Sequence, residues 1–209
     1  MGSMTRWITA RTCLAALTWL ISLASVAQTL SPGDESSAGL ASQVCARCHG
    51  VGGDSPSPLV PRLAAQRASY LKAEMLDIRT HERSELLARN VMQRQVADVD
   101  EATATALARY YARQPAPPGV PGDPARMARG KALYERGSEN RAACATCHGV
   151  RAEGFGIFPR LAGQHAVYLQ YQLRVKQHDV RRTSVMHGMI GDLGSDDMID
   201  LAAYLASLP

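Results

Sequence analysis

The sequence predicts an all-α fold of two tandem units, and three observations predict it. A Cys-x-x-Cys-His pentapeptide occurs twice, at Cys45-Ala46-Arg47-Cys48-His49 and at Cys144-Ala145-Thr146-Cys147-His148, and Gly follows each copy. The landmarks downstream of it recur in the same order in both halves, which marks an internal duplication. No segment alternates apolar and polar residues with period two, whereas apolar residues return at helical spacing in several windows.

Residues 1–27 read as an export signal. Arg6 and Arg11 form a positive start, Cys13 to Val26 are mostly apolar, and Ser25-Val26-Ala27 is a small-x-small cleavage site. The apolar run is too short and too broken by Thr and Ser to span a bilayer. Met1-Gly2-Ser3 ahead of Met4 is left out of the fold argument. Residues 28–37, rich in Ser, Gly and acids, are expected to be a loose leader to the first unit, 28–114. A short helix from about Ser37 is expected to run into the first pentapeptide. Val51 to Pro61 carries Gly, Ser and Pro and reads as a loop. Pro61-Arg62-Leu63-Ala64-Ala65-Gln66 leads to a helix from about Arg67 to Ile78, with Tyr70 and Leu71 inward. Asn90-Val91-Met92 lies on the connector to a last helix from about Glu101 to Arg113, where Leu107, Tyr110 and Tyr111 share a face.

Residues 115–124 hold Pro115, Pro117, Pro118 and Pro121 in close succession and are expected to be a stiff, extended linker. The second unit, 125–209, replays the first. A helix from about Ala125 to Tyr134 leads to the second pentapeptide and a Gly-rich loop. Then come Pro159-Arg160-Leu161-Ala162-Gly163-Gln164, the pair Tyr168-Leu169, and Ser184-Val185-Met186. The last helix, Asp196 to Leu208, is expected to be capped by Ser195, with Leu201 and Tyr204 matching Leu107 and Tyr110.

Cys-x-x-Cys-His is the attachment signature of c-type haem. Two thiols three positions apart on one helical turn can each add to a haem vinyl group, and the adjacent histidine falls beneath the same porphyrin to bind iron. A zinc knuckle or a redox dithiol would explain one such motif. Two copies, each ending in His-Gly with no other cysteine pair, predict two covalently bound haem c groups, through Cys45 and Cys48 and through Cys144 and Cys147, with iron on His49 and His148. Scarce aromatics, 5% of residues with only two Phe, suit units whose cores are completed by a flat cofactor.

The sixth iron position decides between electron transfer and catalysis, because a methionine thioether closes the site and raises the potential. Met92 and Met186 stand at equivalent distances before Val99 and Leu193, so they are the expected ligands. Met189 has Gln95 as its counterpart and is expected to line the pocket. His187 is a rival nitrogen donor, but its counterpart Gln93 cannot serve. His81, His165 and His178 have no histidine counterparts and receive no role. An iron-bound imidazole donates its other N–H to a fixed acceptor, and the carbonyls of Pro61 and Pro159 are the candidates. Arg62 and Arg160 are placed to pair with haem propionates.

The formal charge is +4, of which Arg6 and Arg11 contribute two units. With propionates counted the balance falls near zero, so nucleic-acid binding is not expected. Haem attachment to such motifs occurs outside the bacterial cytoplasmic membrane, which places the chain in the periplasm.

With these features the sequence resembles the dihaem cytochrome c4 family. The likeness rests on the tandem Cys-x-x-Cys-His-Gly motifs, the Pro-Arg-Leu-Ala-x-Gln segments at Pro61 and Pro159, the Tyr-Leu pairs, and the segments running from Met92 and Met186 into the final helices. It implies two class I cytochrome c domains packed about a pseudo-twofold axis, with His49 and Met92 on one iron and His148 and Met186 on the other. It further implies a periplasmic electron carrier, not an enzyme, that links a donor dehydrogenase or bc1-type complex to a terminal oxidase. Loose membrane association and a monomer or weak oligomer go with it. The stretch from Asn90 to Asp100 departs from the pattern by lacking the glycines found around Met186. Two rival readings remain. One is the cytochrome subunit of a larger oxidoreductase such as a flavocytochrome c sulfide dehydrogenase, which would expose a large apolar partner face. The other is a dihaem peroxidase or thiosulfate-oxidising enzyme, which needs one iron with a displaceable ligand.

Overall fold

The computed structural model describes residues 32–138, 141–181 and 184–209. The export signal expected over residues 1–27 lies outside them, as does the start of the leader. Ten α-helices are present among the described residues. The first half contains α1 (Pro32–Leu40), α2 (Ala46–His49), α3 (Ala68–Arg79), α4 (Gln93–Val96) and α5 (Glu101–Ala112). The second contains α6 (Pro124–Arg136), α7 (Ala145–His148), α8 (Ala166–Gln177), α9 (Ser184–Ile190) and α10 (Ser195–Ser207). No strand forms among the described residues, where pairing is limited to the isolated bridges Ser138–Arg141 and Phe155–Phe158.

Local chemistry sets the helix starts. Asp100 caps α5 by accepting from the Thr103 N–H at 2.7 Å, and Asp123 caps α6 by accepting from the Arg126 N–H at 2.8 Å. Pro124 opens α6, where its missing N–H costs nothing. The cap expected from Ser195 is corrected: Ser195 is the first helical residue, Gly194 holds the cap position, and the Asp197 carboxylate reaches back to the Gly194 N–H at 3.0 Å. The leader is corrected as well, because its last residues belong to α1, which packs on α5 and buries Ser37.

Each half has its own core. In the first, α3 and α1 pack on α5 around Leu71, Ile78, Val96, Val99, Leu107 and Tyr111. In the second, α6 and α8 pack on α10 around Tyr134, Leu169, Ile190, Leu193, Met198 and Leu201. The crossing of α6 and α10 is close because Gly130 faces the Asp200 carbonyl, which a Cβ there would meet at 2.0 Å. Asp200 sits over the same crossing and binds Arg126 at 2.9 Å and Arg129 at 2.5 Å.

Between the cores runs a polar seam, and the duplicated segments supply it reciprocally. The Gln66 side chain accepts from the Arg160 N–H at 2.7 Å and donates to the Arg160 carbonyl at 2.8 Å. Gln164 does the same to Arg62, at 2.9 and 3.0 Å. Deeper in, Arg83 reaches the Tyr168 hydroxyl at 3.3 Å and Arg181 reaches the Tyr70 hydroxyl at 2.9 Å. Glu74 receives both guanidinium groups, Arg83 at 2.6 Å and Arg181 beside it. The linker is no free spacer: Val120 N–H donates to the Ala206 carbonyl at 2.8 Å, and Gly119 is pressed against Ser207.

Candidate haem sites

Both pentapeptides fold as a single helical turn, α2 and α7, which points the two cysteines and the histidine to one side. Gly50 (φ 75°) and Gly149 (φ 84°) end these turns in the left-handed region, and a Cβ on Gly50 would meet the Asp54 carbonyl at 2.1 Å. That explains why glycine follows both copies. In the first half a π-helical turn, Ala41–Cys45, delivers the chain into α2, a widened turn of the sort that recurs at functional sites.

The histidines define the centres. His49 is 4% exposed and His148 5%. His49 Nδ1–H donates to the Pro61 carbonyl at 2.8 Å, and His148 Nδ1–H donates to the Pro159 carbonyl at 2.9 Å. Both Nε2 atoms are buried and have no partner among the described residues. A buried nitrogen lone pair without a partner is costly unless a ligand takes it, and the carbonyl on Nδ1 fixes the tautomer that presents it. Burial pushes both imidazoles below their ordinary value, against the pull of the proline carbonyls, so they stay neutral and able to bind metal.

The thiols fit the same group. Cys45, Cys48, Cys144 and Cys147 are all free. Burial pushes the Cys45 and Cys144 thiols up, opposite to the lowered value of a redox-active Cys-x-x-Cys. No group of three or more His, Cys, Asp or Glu is gathered among the described residues. The donor set of each half thus suits a group that takes two thioether links and one imidazole.

Met92 ends a π-helical turn, Ala88–Met92, and is half-buried against the core that Cys45 also borders. Met186 lies in α9, half-buried against the core that Cys144 borders. The connectors expected at both methionines are therefore helical turns. Met189 also lines the second core. His187 is exposed and donates from Nδ1 to the Lys176 carbonyl at 3.2 Å. His165 reaches across the seam to the Ser55 carbonyl at 2.8 Å, His81 contacts Gln93, and His178 caps α8.

The two arginines expected at propionates are placed at the seam. Arg62 donates from Nη1 to the Gly163 carbonyl at 2.6 Å and lies 3.0 Å from the Asp54 carboxylate. Arg160 donates to the Pro209 carbonyl at 2.5 Å. Sequence reasoning missed Gln66, Gln164, Arg83 and Arg181. Their signal was available, since each pair falls at matching positions of the repeat. It also missed Tyr134, which is fully buried and whose hydroxyl donates to the Gly149 carbonyl at 2.5 Å.

The cytochrome c family pattern matches residues 127–209. A cytochrome c-552 of Acidithiobacillus ferridurans is 37% identical over 168 residues, 78% of this chain and 73% of that protein. A cytochrome c4 of Pseudomonas aeruginosa is 31% identical over 201 residues, 90% of this chain and 96% of that protein. The solved cytochrome c4 of Acidithiobacillus ferrooxidans superposes with a TM-score of 0.74 at 37% identity, covering 78% of this chain and 98% of that structure. Duplicated motif, paired neutral imidazoles and likeness over nearly the whole length agree: the chain belongs to the cytochrome c4 family, dihaem c-type cytochromes of two tandem cytochrome c domains that transfer electrons on covalently bound haem c.

Proposed function

We propose that this chain is a periplasmic shuttle that takes single electrons from a respiratory donor, a dehydrogenase or bc1-type complex, and gives them to a terminal oxidase. His49 and Met92 hold the first iron, and His148 and Met186 the second. Cys45, Cys48, Cys144 and Cys147 form the thioether links. The units are residues 28–114 and 125–209, behind a cleaved signal of residues 1–27. The observation that carries this reading is the repeated pair of buried, unpartnered Nε2 atoms, each on a histidine whose Nδ1 is fixed by a proline carbonyl.

When bound, haem c supplies an iron that exchanges one electron without changing its ligands. The protein's part is to keep that exchange inexpensive. Pro61 and Pro159 hold the imidazoles in one orientation and one tautomer. The apolar cores keep water from the iron and favour the less charged state. Met92 and Met186 would offer thioethers to the bound irons and so shut out small molecules. Arg62 and Arg160, with Gln66 and Gln164, lock the halves together, which fixes the spacing of the two centres. Transient docking to partners follows from such a role, with a small interface. No helix among the described residues is long and apolar enough to cross a membrane, which fits an exported carrier.

Visible spectroscopy of the holoprotein tests the reading. The oxidised form is expected to show the far-red Met–iron charge-transfer band from both centres, and the reduced form to resist carbon monoxide. Rapid carbon monoxide binding by one centre would replace the shuttle with an enzyme.

A further inference from the structure

The two halves differ in how the methionine-bearing segment is fastened, and the difference centres on Arg141. This residue is 7% exposed and lies just ahead of Cys144. Its backbone pairs with Ser138, accepting from the Ser138 N–H at 2.8 Å and donating to the Ser138 carbonyl at 3.2 Å, which anchors it three residues ahead of the haem-bearing turn. Nη1 donates to Asp192 Oδ1 at 2.5 Å, and Nε is buried without a partner among the described residues. Asp192 sits just past the end of α9, the helix that carries Met186. Gln177 gathers the same segment from the other side, its Nε2 donating to the carbonyls of Ile190 and Leu193, each at 2.9 Å.

The first half has no such tie. Ser42 stands where Arg141 does, counting back from the first cysteine, and its hydroxyl donates back to the Gly39 carbonyl of α1 at 3.1 Å. Asp98 stands where Asp192 does, counting on from the methionine, but it is exposed and makes no ion pair among the described residues. The segment after Met92 is held by Arg79, which donates to the Val99 carbonyl at 2.7 Å.

We infer that Arg141 is a positioning residue for the second iron centre: through Asp192 it ties the Met186 segment to the Cys144–His148 turn, so that the second centre keeps its methionine more firmly than the first. The inference rests on Met92 and Met186 being the ligands. A charge-assisted hydrogen bond with one well-buried partner is strong enough to matter for ligand exchange, whereas a fully exposed pair would not be.

The test is an imidazole titration of the oxidised holoprotein. It follows the iron-bound methionine methyl resonances by NMR, assigned to each half with Met92→Ala and Met186→Ala. In the wild type the Met92 resonance is expected to vanish at lower imidazole than the Met186 resonance. Arg141→Gln is expected to make Met186 exchange at about tenfold less imidazole and leave Met92 where it was. Arg141→Lys should restore part of the difference. Asp192→Asn, at a side chain 52% exposed, should reproduce the Arg141→Gln shift, and the double variant should add little to either single change. An unchanged Met186 exchange in both single variants, or equal shifts at both centres, would overturn the inference. Should Arg141→Gln fail to fold, Asp192→Asn alone decides between these outcomes. A wild type lacking two methionine methyl resonances would overturn the ligand assignment itself, and that result is read before any variant of the tie.

Discussion

Glu74 pairs with a buried guanidinium from each half. Its burial alone would raise the carboxyl, but Arg83 and Arg181, one from each half, hold it down at about 2. Its counterpart in the second half is Gln172, which accepts from Arg181 without a charge. A carboxyl lowered in the folded state from an ordinary 4.5 gives stability that is complete above pH 4.5 and lost as pH falls toward 2. Thermal melts of the holoprotein between pH 6 and pH 2.5 should therefore show a falling midpoint, and Glu74→Gln should flatten that part of the profile. The same variant is expected to cost about 3 kcal/mol at neutral pH, since it leaves the buried Arg181 with only the neutral acceptors Gln172 and Tyr70, while Arg83 keeps Glu85. Lys176, pushed down to about 7 by burial and by Arg181, adds a slope of the same sign in a higher pH window. The unfolded chain binds its proton up to about 10.5, so this lysine makes the fold gain stability as pH rises from 7 toward 10.5. The candidate cysteines and histidines stood out in the sequence because spacing places them in one motif, and Met92 and Met186 because they hold equivalent places in the repeat. The partners of Arg62 and Arg160 were not, because a long side chain's destination depends on a neighbour that only the fold brings near.

Among the elements, α6 and α10 show best how packing governs sequence. Gly130 lies in the middle of α6, where Ala would gain about 1 kcal/mol in helix propensity. The Asp200 carbonyl stands in the way of any Cβ, so Gly130→Ala is expected to destabilise the second half by more than about 2 kcal/mol despite that gain. Urea unfolding of the variant checks it, and a stabilised variant would show that the crossing is loose. The bounds of α3, α5, α6 and α10 were legible to within a residue or two, because their apolar spacing and turn signals are strong local cues. The π-helical turns at Ala41–Cys45 and Ala88–Met92 were not legible. They arise where the chain must bring a cysteine or a methionine to the face of a core, and no local propensity favours a wider turn. The start of α1 was misjudged for a related reason. Its polar composition reads as loop, but contact with α5 holds it helical.

At the scale of the molecule, the seam makes one body of two cores. Four hydrogen bonds from Gln66 and Gln164 cross it. Replacing both with Ala should remove about 2–4 kcal/mol from the docking of the halves. Calorimetry is then expected to resolve two melting transitions where the wild type gives one, and a single unchanged transition would show that the ionic network suffices. Duplication was evident from the sequence, but the reciprocity of the contacts was not. It needed the knowledge that each Pro-Arg-Leu-Ala-x-Gln segment faces the other's backbone. That reciprocity is the pattern of an isologous dimer, in which a patch recognises a copy of itself. Here the peptide between the copies makes their meeting an intramolecular event at an effective concentration on the order of millimolar, so no dilution in the cell separates the pair. A nick in that peptide would turn the same contacts into an ordinary equilibrium, with each half then free to exchange its mate.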